Sequence, residues 1–330
     1  MENTAKRSVI CTILFLLAVL LFTGCSMKKT ETSADSSAYQ VTDAFGHTVT
    51  LPHKPRRILG TSSSIDTMLL GVVEPDRLVA CFTADKDPAI SYISEETKNI
   101  SLTMPLNGLS MEILTQAAPD LIVASSYTKP KELELWRNLG YPVIQIDGPK
   151  SLDQVKQDIE IIATAAGEKE RGEKVIAEMD RQLAEIDAVL GQRTDKIPKA
   201  FLVTQMSRYG GPGSMYHELL TRARIRNAIG EVGVSNGQLL AQELVVKSDP
   251  DFFIVSSDRN SDETGAGKFR NEFFQNPAVQ NMRAAKNIKI LDDRYIYAAS
   301  QNCVYAIKAM ANAAYGPLFD MTEEKQIKGY

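Results

Sequence analysis

Two similar segments lie far apart in the chain, and this repeat restricts the possible folds more than any other sequence feature. Residues 111–126 read MEILTQAAPDLIVASS, and residues 242–257 read QELVVKSDPDFFIVSS. Without a gap, Glu112 aligns with Glu243 and the two Pro-Asp pairs align, at a constant offset of 131 positions. That offset far exceeds the roughly 20 to 50 residues of a solenoid repeat. The repeat therefore predicts two similar lobes.

The N-terminus carries an apolar segment that is too short to cross a membrane. Lys6 and Arg7 precede the run VICTILFLLAVLLF at residues 9–22. As a helix this run extends about 21 Å, whereas the hydrocarbon core of a bilayer is about 30 Å thick. A signal peptide over residues 1–24 is the better interpretation.

The residues after the apolar run indicate how the chain is anchored. LFTGC, which ends at Cys25, resembles the lipobox of bacterial lipoproteins, in which the cysteine is lipidated and becomes the mature N-terminus. Phe22 occupies the position where leucine is usual. Residues 25–38 are rich in Ser and Thr and predict a flexible tether. We therefore predict an extracytoplasmic protein held at the cell membrane by a lipid anchor.

Composition narrows the classes of partner. The chain is 44% hydrophobic and 24% charged, with a formal net charge of −4. A mildly acidic chain without a basic block offers no electrostatic surface for nucleic acid, so we predict no nucleic-acid partner. Apart from Cys11 and Cys25, only Cys81 and Cys303 remain, and they form either a disulfide or two buried unpaired thiols.

The body of the chain alternates short β-branched segments with amphipathic ones, which predicts an α/β fold of two lobes with mostly parallel sheets. A hairpin that turns at Gly46 opens the first lobe, residues 39–150. A helical segment follows at residues 151–192, broken at Gly167 and containing one long helix over residues 168–190. Residues 193–330 form the second lobe.

These features together resemble the solute-binding proteins of bacterial ABC importers, in the class that serves iron-siderophore, haem and cobalamin uptake. The resemblance is carried by DAFGHTVTLPHKPRRIL, by PDLIV and its counterpart ELVVKSDPDFFIV, by the long helix, by NPAVQNMRAAKNIKILDD and by ANAAYGPLF. It implies two α/β lobes bridged by one rigid helix, a ligand in the cleft between them, and small closure motions. We expect a monomer without enzymatic activity, and the chain has no complete phosphate-loop, nucleophile-elbow or HExxH motif. The alternative to an importer component is a surface-binding lipoprotein without a transport role, which would not explain the paired glutamates.

The resemblance also gives the repeat a role. In similar proteins one exposed glutamate on each lobe docks onto arginines of the dimeric membrane permease, and the matching positions are Glu112 and Glu243. The alternative is that both are first-turn glutamates favoured by the helix dipole. Ser110 is a predicted N-cap that places Glu112 at the second helical position, and Ala241 replaces that serine in the second copy.

Candidate ligand-binding residues follow from the rule that open α/β sheets bind ligands at the carboxyl ends of their strands. They are Ser62, Ser63, Phe82, Thr83, Tyr127, Tyr209, Tyr216, His217, Asp258, Arg259, Tyr295 and Tyr297. Several aromatic side chains suit a large chelate, so an iron-siderophore or haem leads and a corrinoid follows. Tyr209, Tyr216 or His217 could ligate haem iron.

Two further ligand classes are an oxyanion and a bare metal ion. RYGGPGSM at residues 208–215 leads into a predicted helix, so a molybdate-like oxyanion stays possible, although the glycines also suit a plain turn. A protein-held metal site is not predicted, because His47 and His53, two of the three histidines, lie in or next to the opening hairpin.

Overall fold

The computed structural model describes residues 37–105, 108–257 and 266–330. The predicted signal peptide, most of the tether, Cys25, Asp258 and Arg259 lie outside the described residues.

The first lobe opens with an antiparallel hairpin, as predicted, and continues with parallel strands. Its strands are β1 (Tyr39–Thr42), β2 (Thr48–Leu51), β3 (Ile58–Gly60), β4 (Cys81–Phe82), β5 (Thr103–Met104), β6 (Leu121–Ser125) and β7 (Val143–Ile146). Its helices are α1 (Ser63–Val72), α2 (Ser94–Thr97), α3 (Met111–Ala117) and α4 (Pro130–Asn138). Strands β3, β6 and β7 form one parallel sheet in that order, and β4 pairs with β5 in parallel.

Two helices, α5 (Leu152–Ala165) and α6 (Lys169–Gly191), connect the lobes. The second lobe has a parallel sheet in the order β11-β10-β8-β9. Its strands are β8 (Lys199–Val203), β9 (Arg226–Asn227), β10 (Phe252–Ser256) and β11 (Ile288–Leu291). Its helices are α7 (Met215–Arg222), α8 (Ala228–Glu231), α9 (Gln242–Ser248), α10 (Ala266–Gln275), α11 (Pro277–Gln280), α12 (Asp293–Ile296) and α13 (Cys303–Tyr315).

The repeated segments adopt the same structure in both lobes. Helices α3 and α9 have seven residues each, and Ala118 and Asp249, the residues that end them, both have φ of 39°. A strand begins three residues later in each lobe, β6 in the first and β10 in the second. The repeat therefore encodes a helix, a left-handed cap and a buried strand, which confirms the predicted similarity of the lobes.

The aspartates of the repeated Pro-Asp pairs fasten neighbouring strands together. The Asp120 carboxylate accepts hydrogen bonds from the backbone N–H groups of Arg56 and Arg57, both at 2.8 Å. The Asp251 carboxylate accepts one from the N–H of Lys199 at 2.8 Å. The N–H groups of the two aspartates donate in return to the carbonyl oxygens of Arg57 and Lys199. Each aspartate thus fixes where two parallel strands begin to pair.

The central strands of the two main sheets, β6 and β10, are buried on both faces. Ile122 and Ala124 of β6 face an apolar cluster confined to the first lobe, and Phe253 and Val255 of β10 face the corresponding cluster of the second. The opposite faces of both sheets contribute to one larger core that also contains the buried side of α6. Because both faces of these strands are buried, their sequences are continuous runs of apolar residues and do not alternate between apolar and polar residues.

Helix α6 joins the lobes through this shared core. It packs against α1 and α5 on one side and against α13 of the second lobe on the other. Its buried stripe has the spacing of a single helical face, Val175, Met179, Leu183, Ile186 and Leu190. The break predicted at Gly167 separates α5 from α6, with φ of 70° at the glycine.

The C-terminal tail, residues 316–330, forms a second crossing that the sequence did not predict. The Gly329 N–H donates to the carbonyl oxygen of Gly71 at 2.9 Å. Gln326 donates to the carbonyl oxygen of Thr67 at 2.8 Å, and Lys328 pairs with Glu96 at 2.5 Å. The tail therefore adds a non-helical tie between the second lobe and α1 of the first, beside the helical crossing by α6.

We expect Asp120→Ala to lower the free energy of unfolding by about 2 to 4 kcal/mol. The carboxylate accepts two hydrogen bonds that contribute about 1.5 to 3 kcal/mol each, and its partial exposure to water reduces this sum. Urea unfolding of the wild-type and variant proteins measures the difference. The control is Asp153→Ala, an exposed aspartate on α5, for which a change within about 0.5 kcal/mol is expected. Equal effects of the two substitutions would contradict the proposed role of Asp120.

Candidate ligand-binding cleft

A cavity of about 690 Å³ lies between the two lobes and is called the cleft below. The first lobe contributes the start of α1 and the loops after β6 and β7. The second lobe contributes the loop after β8, the start of α7 and the segment after α12. Several of these segments follow the carboxyl ends of parallel strands, where open α/β sheets bind ligands. The volume suits a molecule of several hundred daltons.

Ser62 and Tyr127 form part of the first-lobe wall. Ser62 caps α1 by accepting the Ile65 N–H at 3.3 Å, which fixes the start of the helix against the cleft. Tyr127 is 78% exposed. A β-carbon at Gly148 would lie 2.6 Å from the Tyr127 ring, so the glycine leaves room for the ring to lie across the loop.

Two tyrosines form part of the second-lobe wall. The rings of Tyr209 and Tyr297 are 5.6 Å apart, and the Tyr297 hydroxyl lies 2.9 Å from the hydroxyl of Thr204. The Tyr209 hydroxyl donates to the carbonyl oxygen of Ile296 at 3.4 Å. Burial raises the pKa of Tyr209 above its usual value, so the hydroxyl is neutral near pH 7.

The charged groups that line the cleft are both cations. Lys150 follows β7, and its ammonium lies 3.7 Å from the Asp147 carboxylate with half of its side chain exposed. Arg208 follows β8 and donates to the carbonyl oxygen of Gly237 at 2.9 Å. Among the described residues that line the cleft, none is Asp or Glu. The cleft is therefore suited to a ligand that carries negative charge.

Four of the predicted ligand-binding residues line the cleft: Ser62, Tyr127, Tyr209 and Tyr297. The described candidates outside its lining are Ser63, Phe82, Thr83, Tyr216, His217 and Tyr295. That the four residues bind a ligand stays a prediction.

The three first-lobe candidates outside the lining have other partners. The Ser63 hydroxyl donates to the buried carboxylate of Asp85. Phe82 is buried in the outer apolar cluster of the first lobe. The Thr83 hydroxyl donates to the carbonyl oxygen of Met104 at 3.3 Å. The strand-end rule predicts that these residues lie near the edge of the sheet, but it does not predict the directions in which their side chains point.

The second-lobe candidates outside the lining point into the protein. Tyr216 is fully buried, with its ring 6.4 Å from that of Tyr209. His217 lies 3.3 Å from Asn227 through Nδ1, and burial lowers its pKa, so the imidazole is neutral near pH 7. The Tyr295 hydroxyl donates to Glu324 at 2.8 Å.

Sequence reasoning missed both cations of the cleft. Lys150 lies four residues after β7, so the same strand-end rule reaches it. Arg208 directly precedes the candidate Tyr209. Aromatic side chains in a loop indicate stacking but not the sign of the neighbouring charges, so they do not point to these two cations.

Glu112 and Glu243 are exposed at the second position of α3 and α9. Ser110 caps α3 as predicted, and Ala241 provides no side-chain cap for α9. Cys81 and Cys303 are both buried and unpaired, which answers the open question of a disulfide. The described part of the chain contains no group of three or more His, Cys, Asp or Glu side chains arranged to hold a metal ion.

Two buried carboxyl groups lie behind the α1 wall of the cleft. Asp66 and Asp85 are both 0% exposed. Asp85 accepts hydrogen bonds from the Ser63 hydroxyl and the Phe82 N–H, whereas neither oxygen of Asp66 has a protein donor. Burial and the neighbouring Asp85 raise the pKa of Asp66 well above its usual value. Burial therefore favours the protonated form of Asp66 in the folded protein.

Comparison with known proteins gives the family. A sequence profile described as "Periplasmic binding protein" matches residues 58–295, which is most of the chain. The chain belongs to the periplasmic binding protein family. Proteins of this family bind substrates outside the cytoplasm.

Relatives of this periplasmic binding protein include two from Bacillus subtilis (strain 168). It is 24% identical to an iron-uptake system-binding protein over 85% of this chain and 89% of that protein. It is 21% identical to a probable siderophore-binding lipoprotein, YfiY, over 58% of each chain. The latter match thus spans less than two thirds of that relative.

Solved structures share the fold. The periplasmic haem-binding protein RhuT of Roseiflexus sp. RS-1 is 22% identical, with a TM-score of 0.67 over 78% of this chain and 99% of that chain. At that identity the likeness shows the fold, and it confirms the two-lobed α/β architecture expected from the sequence.

We expect the free energy of unfolding to fall as the pH rises from about 4, because Asp66 keeps a proton when folded that the unfolded chain has released. Asp66→Asn removes this linkage. Between about pH 5 and about pH 8, the free energy of unfolding of the variant should therefore change by at least about 1 kcal/mol less than that of wild type. Urea unfolding at the two pH values measures the change.

The control for this prediction is Asp76→Asn, an exposed aspartate shortly after α1, which should leave the pH dependence of wild type intact. If Asp66→Asn and Asp76→Asn have the same pH dependence, Asp66 does not keep an extra proton in the folded protein.

Proposed function

We propose that this protein is the lipid-anchored substrate-binding component of an ABC importer and that it captures an anionic iron chelate in the cleft. In this role it holds its ligand and passes it on without catalytic turnover. The observation that carries the proposal is the cleft between two tied lobes, whose described lining has two cations and no carboxylate.

The charge of the cleft supports an anionic ligand in particular. Lys150 and Arg208 come from different lobes, so a ligand that contacts both also bridges the cleft. Arg recognises planar oxygen pairs through two parallel hydrogen bonds, and Lys acts as a point charge. Catecholate and carboxylate chelates of iron carry such oxygens. The siderophore-binding and iron-uptake names of the relatives agree with this ligand class.

The tyrosines favour a large ligand over a small oxyanion. Tyr127, Tyr209 and Tyr297 are spread over both walls and offer ring faces and hydroxyl groups. A small oxyanion would leave most of a 690 Å³ cleft empty.

Haem is the second candidate because of one residue. Tyr127 is largely exposed on the cleft wall, and a tyrosine oxygen can ligate haem iron. Tyr216 and His217, the other candidate ligands, lie outside the cleft lining and are not proposed to contact iron.

The anchor is proposed from the N-terminal sequence. Cys25 follows a predicted signal peptide and would carry the lipid, with the Ser/Thr-rich segment as tether. Within the described residues, no helix has both the length and the apolar character needed to span a membrane. Attachment through lipid would leave the two lobes free to approach a permease.

Docking to the permease is proposed through Glu112 and Glu243. They occupy equivalent positions on exposed ends of helices in similar lobes, and neither has an ion pair or side-chain hydrogen bond among the described residues. Two equivalent carboxylates suit a permease of two equivalent subunits that present arginines.

We expect a ferric catecholate or carboxylate chelate to bind at least tenfold more tightly than a neutral ferric trihydroxamate. Isothermal titration calorimetry is the appropriate measurement, because Trp136, the only tryptophan, is buried outside the cleft. Haemin, cobalamin and molybdate complete the panel. Lys150→Gln and Arg208→Gln should each weaken binding of the anionic chelate by about tenfold, since each removes a charged hydrogen bond.

Lys129→Gln is the matched control, because Lys129 is exposed on the same lobe as Lys150 and does not line the cleft. It should bind like wild type. Strong binding of cobalamin or molybdate alone would name a different cargo, and tighter binding of haemin would favour the haem alternative.

We expect the double variant Glu112→Lys, Glu243→Lys to bind its chelate normally but to abolish uptake by cells, because two attractive contacts with the permease become repulsive. Radioactive iron uptake measures transport, and calorimetry measures binding. Glu134→Lys, an exposed charge reversal on α4, is the control and should transport normally. Normal uptake by the double variant would show that the two glutamates do not dock.

A further inference from the structure

A second cavity, of about 310 Å³, lies in the second lobe on the outer face of its sheet. Its walls come from β8, α8, α9, α10 and the loop after α8. The apolar side chains that define it are Phe201, Val203, Ile229, Val234, Val245 and Phe273. This cavity is called the side pocket below.

The side pocket opens to solvent beside an apolar cluster that is otherwise well buried. Its walls are mostly apolar, so water in the pocket contacts apolar surface. Removing apolar surface from water is favourable, by about 0.8 kcal/mol for each buried methylene. An apolar group that entered the side pocket would displace this water.

The side pocket adjoins the cleft. Met206, Ser207, Arg208 and Tyr209, in the loop after β8, line both cavities. The loop is held to the lobe, because the Arg208 guanidinium donates to the carbonyl oxygen of Gly237 and the Gly237 N–H donates to the carbonyl oxygen of Arg208 at 2.7 Å. A ligand in the cleft therefore touches the same short segment that bounds the side pocket.

The charges around the side pocket determine the orientation in which a ligand would bind. Arg208 lies on the boundary with the cleft and would attract an anionic head group. Glu272 is also at the side pocket, 3.8 Å from Lys268, and disfavours a second anion there. The best complement is one molecule with a negative head in the cleft and an apolar tail in the side pocket.

We propose that the side pocket accepts an aliphatic chain carried by the iron chelate whose anionic head lies in the cleft. This inference rests on the proposed function and narrows its substrate class to an amphiphilic, acyl-bearing chelate. Each methylene that enters the side pocket should tighten binding about fourfold.

The test uses two ferric chelates with the same anionic head, one bearing an octanoyl chain and one bearing an acetyl group in its place. Calorimetry with the wild-type protein should show at least tenfold tighter binding of the octanoyl chelate. Octan-1-ol, an uncharged chain of the same length, should reduce this difference by competing for the side pocket.

Filling the pocket should remove the advantage of the chain. Val245→Phe places a ring in the side pocket from α9, and Val234→Phe does so from the loop after α8. In both variants the two chelates should bind equally, with the affinity of the acetyl chelate kept. Val246→Phe is the control, because Val246 is the neighbouring residue, is 43% exposed and does not line the side pocket, so the octanoyl advantage should persist.

The outcomes separate this inference from the proposed function. Equal binding of the two chelates by wild type would overturn the acyl proposal and leave the iron-chelate function standing. A persistent octanoyl advantage in a folded Val245→Phe or Val234→Phe variant would also overturn it. If neither chelate bound wild type, the proposed function would fail, and the acyl proposal would fail with it.

Discussion

Burial of one face of α6 in a core shared by both lobes is the constraint on which the cleft depends. A helix is stiff because its interior turns are all hydrogen-bonded, and the apolar side chains of α6 pack against α1, α5 and α13 together. The C-terminal tail adds a second tie through Gly329 and Gln326, which bond to backbone carbonyls of α1. Two ties between the lobes favour a small closure on binding, and a cleft that is arranged in advance costs less binding energy to close.

The chemistry of the cleft follows from where parallel strands end. Loops after β6, β7 and β8 converge between the lobes and bring Tyr127, Lys150 and Arg208 to one cavity. The buried carboxyls Asp66 and Asp85 stand behind the same wall but are closed to solvent. Burial raises the pKa of both groups and favours their neutral forms, so they oppose an anionic ligand less than two ionised groups would. The cleft thus presents cations and hydroxyl groups to a ligand.

The fold was largely predictable from sequence, because its main signals are local. Short stretches of sequence encode the turn at Gly46, the buried stripe of α6 and each copy of the repeat that contains Glu112 or Glu243. The site was less predictable, because it depends on side-chain direction. Ser62 lines the cleft, whereas its neighbour Ser63 points to Asp85. The sequence alone does not distinguish the two serines, because the directions of their side chains depend on where the next helix begins. The tail crossing was missed because residues 316–330 carry no periodic signal, although Gly329 bonds across to Gly71.

The central claim, that an anionic iron chelate is held between the lobes, is tested most directly by a crystal structure of the protein with a ferric catecholate or carboxylate chelate, in which anomalous scattering locates the iron. The account predicts a single strong iron peak inside the cleft, with chelate oxygens in contact with Lys150 and Arg208. An iron peak outside the cleft, or a chelate bound there without contact to either cation, would contradict it.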